Sequence, residues 1–248
     1  MTVILLLDQI RWVQWIGVVK DLVVKCSDVL KTMLCDSEIK EPGDVIMPDV
    51  YPDAVNIFLK YAYGATDNSN VSDLGNWTAQ TTLEVVDFAE KYNIAPLKQM
   101  AINQMEVQDV ESVFSALHCI TFYNATSLEP AVLEVLQKDL QNVLNHPSFL
   151  DIDVESLVHI LKQDKLDVDE LDLWKAALKW GKHREKTEKD ANLRSILDKP
   201  LHHLRLYNLT MEQFLIEVIP TNIFTTQEVI EYGVARNRKI IFANGFFQ

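Results

Sequence analysis

The chain has 248 residues, 48% apolar and 24% charged, and 23 basic against 36 acidic side chains leave a formal charge of −13 at pH 7. That charge repels phosphate backbones and anionic lipid headgroups, which excludes nucleic-acid binding as the leading reading. Seven glycines and eight prolines are too few for a low-complexity chain or a sheet built from many tight turns, so a packed, helix-rich protein of one large or two ordinary domains is expected.

The first hundred residues read as α+β. Val3-Ile4-Leu5-Leu6-Leu7 is a short β-type run; it lacks a basic leader and is cut short by Asp8 and Arg11, which argues against a signal peptide. A second β-type run is Val45-Ile46-Met47, and helices are predicted at Ser27 to Leu34, Pro52 to Tyr63, Thr82 to Tyr92 and Pro96 to Met105. Pro52 and Pro96 suit a first helical turn, where the missing N–H would be unpaired anyway, and Gly64 suits the position just past a helix end. Ala65 to Gln80, with Asp67-Asn68-Ser69-Asn70 and Gly75-Asn76, is the longest turn-rich segment and is predicted to be an exposed loop.

From about Val110 to Arg238 the chain reads as helices joined by short polar turns. Val132, Val135, Leu136 and Val143 form one apolar stripe, Val154, Leu157, Val158 and Leu161 a second, and Leu171, Trp174 and Leu178 a third. A capping-box pattern, in which a hydroxyl or carboxylate precedes Glu or Gln by three residues, marks helix starts at Thr81/Glu84, Asp167/Glu170, Thr210/Gln213 and Thr225/Glu228. No run approaches the roughly 18 to 20 apolar residues of a membrane span.

Chemistry is hard to find. Cys26, Cys35 and Cys119 are odd in number and without C-x-x-C spacing, so neither a disulfide framework nor a zinc site is indicated and a reducing, intracellular compartment is expected. Each sits in or beside an apolar-periodic segment, where a free cysteine behaves as a small hydrophobe. The histidines, His118, His146, His159, His183, His202 and His203, show no metal spacing and read as structural or surface groups. Glycines scattered singly cannot form a phosphate loop. The acidic run Asp164 to Asp172 lacks the turn glycine of a calcium loop and reads as a helix N-terminus, where negative charge is favourable. Four Asn-x-Ser/Thr triplets, at Asn70, Asn76, Asn124 and Asn208, read as chance. Trp174 and Trp180 suit a core, whereas Trp77, Trp12 and Trp15 are candidates for contact, because Trp is enriched at interface hot spots. No catalytic, cofactor-binding or metal-ligating residue is assigned.

Several segments together resemble a BTB (POZ) domain followed by a BACK domain. Val23-Val24-Lys25-Cys26-Ser27-Asp28-Val29-Leu30-Lys31-Thr32-Met33-Leu34 is similar to the family's L-x-x-x-S-x-V-F-x-x-M-L stretch. Val45 to Val55 resembles the strand and the D-V-x-P-x-A-F turn, Phe58-Leu59-Lys60-Tyr61-Ala62-Tyr63-Gly64 the F-L-x-Y-x-Y-G helix end, and Phe88 to Leu97 the A-x-K-Y-x-I-x-x-L pair. Ser148 to Ile152, Leu157 to Leu161, Asp164 to Val168 and Glu170 to Trp180 are similar to the BACK signature, with Leu204-Arg205-Leu206 and Met211 to Ile219 as its trailing helices. The fold implied is α+β, a BTB/POZ α/β domain over 1–106 and an all-α BACK domain over 107–240, with a tail at 241–248. Val19-Lys20 stands where the family has His-Lys, and Met1 to Val18 is short and divergent, so the helix and strand that family members exchange across their dimer are expected to be incomplete.

The resemblance implies a non-enzymatic, substrate-recruiting adaptor of a cullin-3 ubiquitin ligase, with the BTB domain gripping the cullin and forming a homodimer. It needs no cofactor, nucleic acid or membrane, and its substrate protein is not named by these residues. The cytoplasm is the expected location, with the nucleus a second. The family's cullin-gripping motif is an apolar residue, any residue, then Glu, and Ile39-Lys40-Glu41 stands near that place. Ile39 would dock in an apolar pocket and Glu41 would make a charge-assisted hydrogen bond. Phe114, in the apolar series Val110, Val113, Phe114 and Leu117, is assigned to partner contact. Two other classes stay open: a BTB scaffold clustering partners in transcription or the cytoskeleton without ubiquitin, and an enzyme.

Overall fold

The computed structural model describes residues 2–9, 12–35, 45–64, 77–163, 166–188 and 191–243. The chain forms two compact units, Met1–Leu133 and Glu134–Gln248.

In the first unit, β1 (Thr2–Gln9) and β2 (Trp12–Val19) form an antiparallel hairpin in which Thr2 faces Val19 and Gln9 faces Trp12. β3 (Val45–Pro48) joins the other side of β1 in parallel, Leu5 opposite Val45, giving the strand order β2-β1-β3. A parallel partner must be reached by a crossover, and α1 (Lys20–Cys26) and α2 (Asp28–Cys35) lie within it. Sequence pattern alone finds one strand before Lys20. β2 escapes it because Trp12 to Val19 is almost continuously apolar and carries Gly17, so it lacks the period-two signature.

Ser27 separates α1 from α2 and fixes both. Its backbone is extended (φ −148°, ψ 120°), so it ends the first helix and caps the second. The hydroxyl accepts from Leu30 N–H at 3.0 Å and donates to the Tyr92 carbonyl at 2.6 Å. With 2% of its surface exposed, it satisfies an orphan donor at one helix start and an orphan acceptor at the end of another, 65 residues later. Around this link pack α3 (Pro52–Gly64), α4 (Ala79–Lys91), α5 (Ala95–Gln104) and α6 (Val110–Tyr123). The Phe58 and Phe88 rings lie 5.1 Å apart and Phe88 and Tyr92 4.7 Å apart, a spacing at which tilted aromatic pairs are favourable beyond area burial.

Low glycine content has a structural answer. Left-handed backbone is taken by Asp49, Asn93, Asn124 and Asn222, with φ between 53° and 55°. Short polar side chains tolerate this region best after glycine, and Asn124 closes α6 in that conformation. Gly64, expected just past a helix, is instead the last residue of α3.

The division between the units falls within α7 (Glu129–Asn145), which bends at Asp139 (φ −145°, ψ 32°). The second unit is helical throughout its described residues: α8 (Val154–Leu161), α9 (Glu170–Thr187), α10 (Leu193–Ile196), α11 (Asp198–Leu201), α12 (Met211–Gln213) running into a π turn at Phe214–Val218, and α13 (Thr226–Ala243). α9 is its axis. Trp174 and Trp180 are buried, and each indole N–H finds a carbonyl, Glu217 at 3.2 Å and Ile152 at 2.9 Å. Arg184 donates to the same Ile152 carbonyl at 2.7 Å and lies over the Trp180 ring at 5.5 Å. A Cβ at Gly181 would come within 2.9 Å of both Leu193 and Leu197, so the bare backbone lets α10 approach.

Two of the predicted capping boxes form, at Thr210/Gln213 and Thr225/Glu228. The other two do not. α4 is capped by Thr78, which accepts from Thr81 N–H, and Glu170 opens α9 while accepting from Arg205 N–H at 2.6 Å. At α4 a better-placed residue thus takes the N-terminus, whereas at α9 the N-cap residue Asp169 makes no side-chain cap hydrogen bond. Removing the Ser27 hydroxyl would leave two buried backbone groups unpaired, so Ser27→Ala should lower unfolding free energy by about 2–3 kcal/mol. Urea unfolding followed by circular dichroism measures this, and a loss under about 0.5 kcal/mol would mean that water or another donor replaces the hydroxyl.

Candidate partner-binding surface

α6 begins with a capping box that contains no Glu or Gln. Ser112 N–H donates to the Asp109 carboxylate at 2.8 Å, and Asp109 N–H donates back to the Ser112 hydroxyl at 3.1 Å. Hydrogen bonds from Ser112, first its backbone N–H and then its side chain, hold the Asp109 carboxyl below its ordinary pKa. The inner face of the helix, Val113, Ala116, Leu117, Cys119 and Ile120, is buried. Phe114 is half-buried, and stepping four residues at a time from it gives half-buried His118 and then Phe122, which is 57% exposed. The His118 and Phe122 rings stack at 4.4 Å. Of the apolar series read from sequence, Val113 and Leu117 belong to the core, while Phe114 opens an aromatic stripe along the outer face.

Sequence reasoning named Phe114 but missed His118 and Phe122. Their i+4 and i+8 spacing was the available signal; which face the core would take was not. Ile39 and Glu41 fall in the connection between α2 and β3, outside the described residues. The side chains of Trp12 and Trp15 also lie outside them. Trp77 is half-buried and, with Tyr63, lines an open groove of about 680 Å³ between α3 and the start of α4.

Beneath the stripe the polar groups are locked rather than reactive. The Tyr123 hydroxyl donates to the Asp87 carboxylate at 2.6 Å, and burial first, then that carboxylate, pushes its pKa up. Burial pushes the Cys119 thiol up to about 12, with Asp87 adding to the effect. A thiol held protonated is neither a nucleophile nor a metal ligand. Among the described residues no cluster of three His, Cys, Asp or Glu side chains could hold a metal, and no helix is long and apolar enough to cross a membrane. The surface offers exposed aromatic area on a capped helix whose other face is buried, which suits a protein partner.

Burial also pushes the Tyr92 phenol up to about 12. Folded pKa values above the ordinary 9.0 of Cys119 and 10.0 of Tyr92 mean that the folded state holds these protons more tightly. Their contribution to stability is therefore complete below pH 9 and is lost as pH rises toward 12. The urea midpoint should be flat between about pH 7 and 8 and fall steadily above about pH 9. Tyr92→Phe, which keeps the backbone carbonyl used by Ser27, should flatten the upper part of that fall. An unchanged slope would show that the phenol is not held protonated.

Comparison with known families and proteins agrees with this architecture. The profile of the BTB/POZ domain matches residues 2–109, and that of BACK, "BTB And C-terminal Kelch", matches residues 113–219. BTB/POZ domain-containing protein 6-A of Danio rerio is 26% identical over 207 residues, covering 82% of this chain and 37% of that protein. BTB/POZ domain-containing protein 3 of Homo sapiens is 24% identical over 227 residues, covering 88% of this chain and 42% of that protein. The chain thus spans about two fifths of the length of the curated relatives it matches. The profiles meet at the start of α6, but that helix packs on α4 and belongs to the first compact unit. Both domains are protein-interaction modules, and the chain belongs to the proteins in which a BTB/POZ domain is followed by a BACK domain.

Proposed function

We propose that this chain is the interaction core of a substrate-recruiting adaptor for a cullin-3 RING ubiquitin ligase. The observation that supports the reading is the succession of a BTB/POZ and a BACK match in one chain, with an exposed aromatic stripe on α6 of the first unit. In this reading the chain transfers nothing itself. Ile39 inserts into an apolar pocket of the cullin, Glu41 makes a charge-assisted hydrogen bond beside it, and Phe114, with Phe122, adds a second apolar contact. The target protein is recruited through another surface. Self-association through the BTB domain belongs to the same proposal; β2 lies at an edge of the sheet, where unpaired backbone groups favour pairing with another strand. The cytoplasm is the proposed location, with the nucleus a second.

The test is titration of the purified chain with the N-terminal region of cullin-3. Wild type should bind, and light scattering of the mixture should give a mass of two chains with two cullin fragments. Glu41→Ala and the pair Phe114→Ala/Phe122→Ala should each weaken affinity by about thirtyfold, the scale of a buried hot spot, while retaining the native circular dichroism. A folded wild-type chain that does not bind cullin-3 overturns the reading and leaves the ubiquitin-independent scaffold.

A further inference from the structure

On α9, Lys175, Lys179, Lys182 and Lys186 follow one another at intervals of four, three and four residues. This spacing keeps them on one stripe about 16 Å long. They border an open groove of about 440 Å³ in the second unit whose floor is Leu150 and Leu178, both half-buried. Lys175 is engaged by Glu217 at 3.1 Å. Lys179, Lys182 and Lys186 are exposed and have no carboxylate partner among the described residues.

Three nearby acids sit beside other groups. Glu185 accepts from Leu193 N–H at 2.9 Å, Glu188 approaches Arg184 at 4.0 Å, and Asp151 lies 3.7 Å from His183. Complementing the helix dipole would account for lysines in the last turn only, because that effect fades within a turn. Lys175 and Lys179 lie in the middle of α9. In a chain of net charge −13, three lysines on one stripe without a carboxylate partner among the described residues, above an apolar floor, call for a partner of opposite charge.

We propose that this groove binds a short acidic segment of a partner protein that carries an apolar residue among its carboxylates. An extended segment of about five residues matches the length of the stripe. Side chains on one side of such a segment recur every 6.6 Å or so, close to the rise of about 4.5 to 6 Å between successive lysines. Carboxylates then reach the lysines while the apolar residue settles between Leu150 and Leu178. Charge complementarity selects an acidic ligand, and the apolar floor selects a peptide over a uniformly charged polyanion. A long nucleic acid or a lipid surface would extend past the stripe onto the acidic remainder of the chain. This inference does not rest on the cullin reading, since every residue used lies in the second unit.

The experiment titrates the intact chain with a fluorescein-labelled peptide, Gly-Glu-Asp-Leu-Glu-Asp-Gly, by polarisation. Binding should saturate, weaken as salt is raised, and fall by more than about tenfold in the triple variant Lys179→Glu/Lys182→Glu/Lys186→Glu. The three lysines are exposed, so that variant should melt like wild type. Replacing the peptide leucine by glycine should weaken binding about fivefold, the scale of burying one apolar side chain incompletely. Undiminished binding to the triple variant overturns the proposal. So does indifference to the leucine, or preferential capture of a single-stranded oligonucleotide or of vesicles containing anionic lipid.

Discussion

The Ser27 hydroxyl, buried between the start of α2 and the end of α4, is the point on which the first unit turns. A helix start and a helix end each carry backbone groups that lose their water when the core closes, and one side chain serves both. The placement of α2 follows, with Leu30 and Leu34 directed into the core. So does the point at which the chain leaves Cys35 for the connection that carries Ile39 and Glu41. The serine that anchors the family's L-x-x-x-S stretch thus has a physical task, and the surface proposed to meet the cullin depends on it at one remove.

The second unit solves the same problem with larger side chains. Two buried indoles donate to carbonyls at 152 and 217, distant in sequence from α9, and Arg184 caps one of them through its guanidinium. Close approach at Gly181 brings α10 onto the same helix. With one face of α9 buried, the other is free to carry charge, and the lysine stripe stands there.

Much of this was legible in the sequence, for reasons that differ by element. The stripe Val154, Leu157, Val158 and Leu161 became α8 because large aliphatic residues at helical spacing leave few other ways to be buried. Thr210 and Thr225 capped helices because Gln213 and Glu228 could reach back. The third stripe moved: the core face of α9 is Leu173, Trp174, Ala176, Ala177, Trp180 and Gly181 rather than Leu171, Trp174 and Leu178, because Ala and Gly carry little hydropathy yet permit the closest packing. β2 and α1 were missed, being short and without clean periodicity. The spacing of Phe122 from Phe114 was visible, but its exposure, like the α9 groove, follows only from which face each helix buries and where Glu185 and Asp151 turn.

What the two units have in common is helices that bury one face and present specific side chains on the other. That is the physical form of an interaction module, and the central claim is that the first unit is where it meets cullin-3. Amide hydrogen exchange on the intact chain, with and without the cullin-3 N-terminal region, tests this most directly. Protection should appear in residues 36–44 and along α6, with the amides of α8 and α9 unchanged. Protection confined to the second unit, or none at saturating cullin, would contradict it.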